Sequence, residues 1–209
     1  MKKIPTLFVK QYDEKGKYIG VSDEVTPGME WVLKGEGRAT VKYDGTCIAL
    51  LHGEYYKRYD AKKGKTPPEG AIPCTENPDP ETGHWPHWVK INPDNPADKW
   101  LAMAIKDKDG DGDPFLEFLE EMSGLYSYHF TMEVVGLHFN GNPYNLHYDH
   151  VVMHGIDTCE VERSYEGIRK FLIDNPEMEG LVFWTHGEPR CKIRRKDFGL
   201  EWPVCTDGR

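Results

Sequence analysis

The sequence is short of the features that would place it in several large classes of protein. No apolar run approaches the roughly 20 residues needed to cross a bilayer. Ile4 to Val9 follows Lys2 and Lys3, but Lys10 closes that run, so neither a membrane span nor a secretory leader is expected. Cysteine is sparse: Cys47, Cys74, Cys159, Cys191 and Cys205 lie far apart, odd in number and with no CxxC spacing. That argues against a disulfide scaffold and fits a reducing, cytoplasmic interior. Positive charge is in deficit, 26 Lys and Arg against 35 Asp and Glu for a net charge of −9, which excludes a cation-coated protein of the histone or ribosomal kind. Repeats, heptads and low-complexity tracts are missing as well.

What is present builds a core. Hydrophobic residues make up 38% of the 209-residue chain and aromatics 12%, including six Trp and eleven Tyr, which suits one globular domain with room for a small lobe. The charge is unevenly spread. Lys57 to Lys65 hold five basic residues against one acid, Arg190 to Lys196 hold five with none, and acids gather between Asp107 and Glu121. A locally positive cleft on an acidic body is expected, with Lys42 at its floor.

Arg38 to Tyr43 and Thr46 to Leu51 read as two strands joined by Asp44-Gly45, the dipeptide that favours a tight hairpin. Lys62 to Pro96, rich in Pro, Gly, Asn and His, reads as a long structured loop whose Trp85 and Trp88 cover part of the core. Asp113, Pro114 and Gly124 mark the cap, first turn and end of a helix through Phe115 to Met122. Ser164 caps a second helix with Ile168, Phe171 and Leu172 on one face, stopped by Pro176. Tyr128 to Val135, His150 to His154 and Leu181 to Trp184 read as strands, the last pairing with Cys191 to Arg195 across His186-Gly187. Strands with a few interposed helices predict an α+β fold.

The sharpest chemical feature is Lys42-Tyr43-Asp44-Gly45, a lysine at a strand end beside an acid and a glycine. Lysine is a poor nucleophile until it loses its proton, which desolvation or a neighbouring cation promotes. Alone, the tetrapeptide reads as a hairpin with a solvated lysine; residues further along the chain give it weight. Arg58 lies 16 residues on, in a basic stretch. Glu133 stands between Met132 and Val134 in an apolar strand, where a carboxylate needs a partner or a metal. Glu179-Gly180-Leu181-Val182 places an acid at the start of another strand, and Lys192 and Arg194 share one strand face by the period of two.

This ordered set resembles the covalent nucleotidyltransferase superfamily of ATP-dependent polynucleotide ligases and capping enzymes. Its signature runs KxDG, an Arg segment, a strand glutamate, EGxV and a KxK-like strand, here ending in Arg194. His84-Trp85-Pro86-His87-Trp88, Asn140-Gly141-Asn142-Pro143-Tyr144, His150 to Gly155 and Gly199-Leu200-Glu201-Trp202-Pro203 are similar to the compact RNA 5′-to-3′ ligases. The resemblance implies an ATP-grasp-like nucleotidyltransferase domain, antiparallel sheets flanking a nucleotide cleft, over residues 1–209. Only 15 residues follow Arg194, so no C-terminal OB-fold is expected.

It further implies that Lys42 takes AMP from ATP, with Mg2+ or Mn2+, and that the AMP passes to an RNA 5′-phosphate before a 3′-hydroxyl seals the strand. Lys192 and Arg194 would assist at the phosphates. The backbone at Thr40 and Val41 would meet the adenine edge, Asp44 would orient the nucleotide or its lysine, and Arg58 and Glu133 would contact the ribose or the RNA 5′-phosphate region. Glu179 and Glu133 would serve the metal. RNA ends and ATP are the expected partners of a monomer acting in RNA repair. The rival readings are a DNA ligase or a capping guanylyltransferase on the same fold, and a non-catalytic module that binds RNA ends or nucleotides.

Other motifs read as structural. Asp107 to Gly112 opens like an EF-hand loop, but its twelfth position is Phe118, where a bidentate Glu is required. Cys74, His84 and His87 lack the second ligand pair of a zinc site. Arg190 to Lys196 could be read as a nuclear signal, but its strand pattern favours a phosphate-facing role.

Overall fold

In a computed structural model, residues 2–106, 114–126 and 128–204 are described. The elements in chain order are β1 (Phe8–Tyr12), β2 (Tyr18–Val25), α1 (Glu30–Leu33), β3 (Arg38–Lys42), β4 (Thr46–Leu51), β5 (Glu54–Ala61), β6 (Ile72–Pro73) and β7 (Trp85–Lys90). They continue as α2 (Lys99–Ile105), α3 (Pro114–Tyr126), β8 (Phe130–Val135), β9 (His150–Met153), β10 (Thr158–Cys159), α4 (Tyr165–Asp174), β11 (Gly180–Thr185) and β12 (Glu188–Arg194). Short 3-10 turns cover Pro96–Asp98 and Arg195–Phe198. This is the expected α+β class, with antiparallel ladders throughout its sheets. Among the described residues no helix is long and apolar enough to cross a membrane.

The chain divides into two compact units. One comprises Ile4–Asp44 and His154–Arg209, of which the structure describes residues up to 204. It holds the hairpin of β1 and β2 and a four-stranded sheet in the order β10-β3-β11-β12. Its core is built by Leu7, Phe8, Val32, Ala39, Ile168, Leu172, Leu181, Phe183 and Ile193, none more than 1% exposed. Each such large side chain contributes roughly 1.5–3 kcal/mol on burial. Strand β12 shows the period of two plainly: Cys191 and Ile193 are buried, while Lys192 and Arg194 on the other face stay part-exposed. Helix α4 turns Ile168 and Leu172 into this core, and the Ser164 hydroxyl accepts from Gly167 N–H at 2.9 Å, a cap contributing about 1 kcal/mol.

The other unit, Met1–Lys3 with Gly45–Met153, carries a six-stranded sheet in the order β6-β7-β5-β4-β8-β9. Its central β4 is flanked by β5 and β8, so Ile48–Leu51 is apolar and buried without alternation. Leu101 of α2 and Leu116 and Leu119 of α3 pack on Ile48, Leu50, Met132 and Val134.

Two hairpins form at His-Gly pairs, where both central residues have positive φ. His52 and Gly53 (52° and 77°) join β4 to β5, and His186 and Gly187 (51° and 76°) join β11 to β12 as expected. The hairpin expected at Asp44-Gly45 does not form. Strand β3 pairs with β10 and β11, whereas β4 pairs with β5 and β8. Gly45 lacks the positive φ that a type I′ turn demands. The segment is instead the crossing from one unit to the other.

Two further readings are corrected. The stretch from Lys62 to Pro96 contains β6 and β7, because Trp88 is buried to 6% exposure on the sheet and β7 satisfies its backbone against β5. Gly124 does not end its helix, which continues to Tyr126. The Asp113 cap, the EF-hand-like Asp107 to Gly112 and Cys205 lie outside the described residues. Cys74, His84 and His87 bring no trio of ligand atoms together among the described residues.

Candidate functional site

Lys42 is the last residue of β3 and stands opposite Gly180 of β11. That register sets Glu179 beside it. Lys42 Nζ lies 2.5 Å from Glu179 Oε2 and donates also to the Tyr43 carbonyl at 3.2 Å. Glu179 is 7% exposed. Burial pushes its carboxyl above the usual range, the Lys42 ammonium pulls it back in part, Asp44 adds to the rise and Arg194 opposes it. Lys42, Asp44, Glu179 and Arg194 therefore share one electrostatic neighbourhood within the Ile4–Asp44 and His154–Arg209 unit.

The residues after Lys42 are also tied down. Tyr43 Oη donates to Asp157 Oδ2 at 2.8 Å; burial first, and this acceptor second, push its phenol upward. The Trp202 indole N–H donates to Asp44 Oδ2 at 2.8 Å. Upstream, the buried Thr40 hydroxyl accepts from Trp184 Nε1 at 2.9 Å, and Val41 N–H donates to the Asp157 carbonyl at 2.9 Å.

On β12, the Lys192 backbone is bound on both sides, its N–H by the Pro5 carbonyl at 3.0 Å and its carbonyl by Leu7 N–H at 2.8 Å. Arg194 meets Asp197 as a fork: Nε to Oδ2 at 3.1 Å and Nη2 to Oδ1 at 2.7 Å. Its own N–H donates to the same carboxylate at 2.9 Å, and Tyr18 Oη donates to Oδ1 at 2.7 Å. Burial pulls the guanidinium down, but Asp197 outweighs it and holds Arg194 above its usual value. One edge of the Arg194 fork is thus committed to a buried acid.

In the Gly45–Met153 unit, Glu133 faces Cys47 across the β4–β8 ladder, and its Oε1 accepts the Gly45 N–H at 3.2 Å. The Asn140 side-chain amide donates to the Gly45 carbonyl at 2.8 Å, so both peptide groups of this glycine are bound. A Cβ on Gly45 would lie 2.2 Å from the Val134 carbonyl oxygen, which leaves room for glycine alone. Burial, aided by Glu133 and opposed by Arg58, pushes the Cys47 thiol up to about 12, so it is not a thiolate nucleophile. Arg58 Nε donates to Asp60 at 3.0 Å, and Lys57 pairs with the buried Asp98, which commits two cations of that basic stretch.

The structure therefore gathers Lys42, Asp44, Glu179 and Arg194 in one unit with Thr40, Val41 and Lys192 on the same sheet, and places Glu133 and Arg58 in the other. Tyr18, Asp157, Asp197 and Trp202 complete the first group, and Asn140 the second, though sequence reasoning gives none of them a role. Asp197 is open to discovery as an acid three residues after Arg194, and Asn140 and Trp202 lie in motifs that carry the resemblance, whereas Tyr18 and Asp157 have no local signal.

No protein-family model matches the chain. It is 30% identical over 217 residues to RNA ligase 1 of Danio rerio, an alignment covering 93% of this chain and 59% of that protein. It is 28% identical over 178 residues to RNA ligase 1 of Pongo abelii, covering 67% of this chain and 50% of that protein. The chain thus spans between half and three fifths of the length of these curated relatives. Both similarities support an RNA ligase family for this chain.

Proposed function

We propose that this protein is an ATP-dependent RNA ligase of the ATP-grasp-like nucleotidyltransferase type, joining RNA 5′-phosphate and 3′-hydroxyl ends through a lysyl-AMP on Lys42. The observation that carries the reading is the placement of Lys42 at the end of β3, 2.5 Å from the buried carboxylate of Glu179. Similarity to two proteins named RNA ligase 1 supports the choice of RNA.

In the ion pair Lys42 is an ammonium and cannot attack. It becomes a nucleophile when Glu179 is drawn away from it and the amine gives up a proton to solvent. The neutral Nζ then forms a bond to the α-phosphorus of ATP while the bond to the bridging oxygen breaks, releasing pyrophosphate and leaving AMP on the lysine. An oxygen of the RNA 5′-phosphate then bonds to the AMP phosphorus as the Nζ–phosphorus bond breaks and frees Lys42, and a 3′-hydroxyl, losing its proton to solvent, bonds to the RNA 5′-phosphorus as AMP leaves. Asp44, fixed by Trp202, orients the nucleotide. Lys192 and the outward edge of Arg194 offset charge building on the phosphate oxygens. Thr40 and Val41 border the adenine. In the other unit, Arg58 and Glu133 are assigned to the ribose or the RNA 5′-phosphate.

Glu179 and Asp44 are hard oxygen donors; burial first, and the Asp44 charge as a smaller contribution, raise the Glu179 carboxyl, and the two suit Mg2+ or Mn2+. When bound, such an ion supplies countercharge to the phosphates. Its pairing with Glu179 would leave Lys42 without its anion.

The test is incubation with α-labelled ATP or GTP and magnesium, comparing wild type with Lys42→Ala, followed by a sealing assay on 5′-phosphorylated RNA. Label from ATP on wild type and none on the variant is expected. Absence of label on wild type, or equal label on both, overturns the reading; label from GTP points to capping chemistry.

A further inference from the structure

Each of the three side chains of Lys42-Tyr43-Asp44 is held by a residue far along the chain: Glu179, Asp157 and Trp202 respectively. The last contact spans 158 residues and joins a donor-only indole N–H to a carboxylate, a charge-assisted bond with defined direction. We infer that Trp202 is a positioning residue for the reacting lysine segment: it fixes the carboxylate of Asp44, and through it the backbone that presents Lys42. This rests on the ligase reading above.

Trp202 reaches Asp44 from a segment that is itself tightly built. Directly after Arg194, the 3-10 turn Arg195–Phe198 ends on Gly199 in the left-handed region (φ 69°), which lets the chain reverse. Arg195 is buried and acts as the bolt. Its guanidinium donates to the carbonyls of Glu201 (2.8 Å) and Leu172, and its carbonyl accepts from Leu200 N–H at 3.0 Å. Glu201 is thereby pinned to the end of α4, and Trp202 is the next residue.

The same turn carries Asp197, which grips Arg194 on one side and accepts from Tyr18 on the other. A single stretch of residues 194–202 thus registers two charges of the site at once, the guanidinium of Arg194 and the carboxylate of Asp44. Loss of the Trp202 N–H removes this directed bond from the Asp44 carboxylate while leaving the Arg194–Asp197 fork in place. The consequence falls on the rate of adenylylation, since misplacing a reacting group by about 1 Å can cost on the order of 100-fold.

The experiment uses Trp202→Phe, which keeps an aromatic ring and removes the N–H, Asp44→Ala, and the double variant. The rate of Lys42 labelling at saturating ATP is expected to fall roughly 10- to 100-fold in Trp202→Phe. In the Asp44→Ala background the second substitution should cause no further loss, because the two act as one unit. Independent, multiplying losses, or a wild-type rate in Trp202→Phe, would overturn the assignment. A second measurement needs no activity: the indole 1H–15N resonance of Trp202, identified by its loss in Trp202→Phe, is expected to move in Asp44→Ala. An unmoved resonance refutes the contact and with it the inference. If wild type takes up no label, the ligase reading fails by itself, and this resonance still decides whether Trp202 holds Asp44.

Discussion

Lys42 Nζ and Glu179 Oε2 stand 2.5 Å apart because Lys42 and Gly180 face each other in the β3–β11 ladder. The strand register, rather than proximity in sequence, brings a nucleophile candidate and a buried acid together across 137 residues. Glu179 is pushed above the ordinary carboxyl range by burial even though Lys42 opposes the shift. Its place beside Lys42 thus carries a cost in stability.

That cost has a pH signature. A carboxyl whose pKa is higher in the folded than in the unfolded protein binds its proton more tightly when folded. Its contribution is complete below the unfolded value, about 4.3, and is lost as pH rises through the folded value. Glu179→Gln removes the titration, so the melting temperature of the variant relative to wild type should climb as pH rises above the ordinary carboxyl range. A thermal melt series on both proteins checks this; a relative fall would show that the ion pair with Lys42 outweighs burial.

Gly45 admits no side chain. In Gly45→Ala the new Cβ would meet the Val134 carbonyl oxygen at 2.2 Å and Val135 Cγ1 at 2.9 Å, and backbone must shift. A loss of about 1–3 kcal/mol in urea unfolding is expected. Lysine labelling should fall as well, because the Glu133 and Asn140 contacts that hold the Gly45 peptide would be displaced.

Asp197 is buried under two donors, the Arg194 fork and the Tyr18 hydroxyl. Asp197→Ala strands the guanidinium and should destabilise by about 3 kcal/mol. Tyr18→Phe removes one bond to a charged acceptor and should cost about 1.5 kcal/mol. Chemical denaturation of both variants tests the order; equal costs would show that the Arg194–Asp197 pair adds nothing beyond the Tyr18 hydrogen bond.

The features legible in the sequence are local ones. Ser164 caps α4 as its position before the Ile168, Phe171 and Leu172 face indicates, and His186-Gly187 turns β11 into β12. Both depend on residues within a few positions of one another. Asp44-Gly45 has the same local signal for a hairpin, yet the chain crosses between units there. The tight turn loses to distant partners: Trp202 for the Asp44 carboxylate, Glu133 and Asn140 for the Gly45 peptide, and β11 for strand β3. Lys62 to Pro96 departs from a pure loop for a related reason, since a strand at β7 is stabilised by β5 and by burial of Trp88 more than by its own Pro- and His-rich composition.

By itself the sequence determined the α+β class, the alternation that sends Cys191 and Ile193 inward and Lys192 and Arg194 outward, and the ordered motifs that singled out Lys42 and Glu179. Only the tertiary structure decided what those residues meet: Glu179 against Lys42, Asp197 against Arg194, Trp202 against Asp44. The physical reason is that alternation and caps act over a few residues, whereas a buried charge must find a partner wherever the fold can supply one. Which strand pairs with which, and so which acid faces which base, is settled by burial of whole sheet faces.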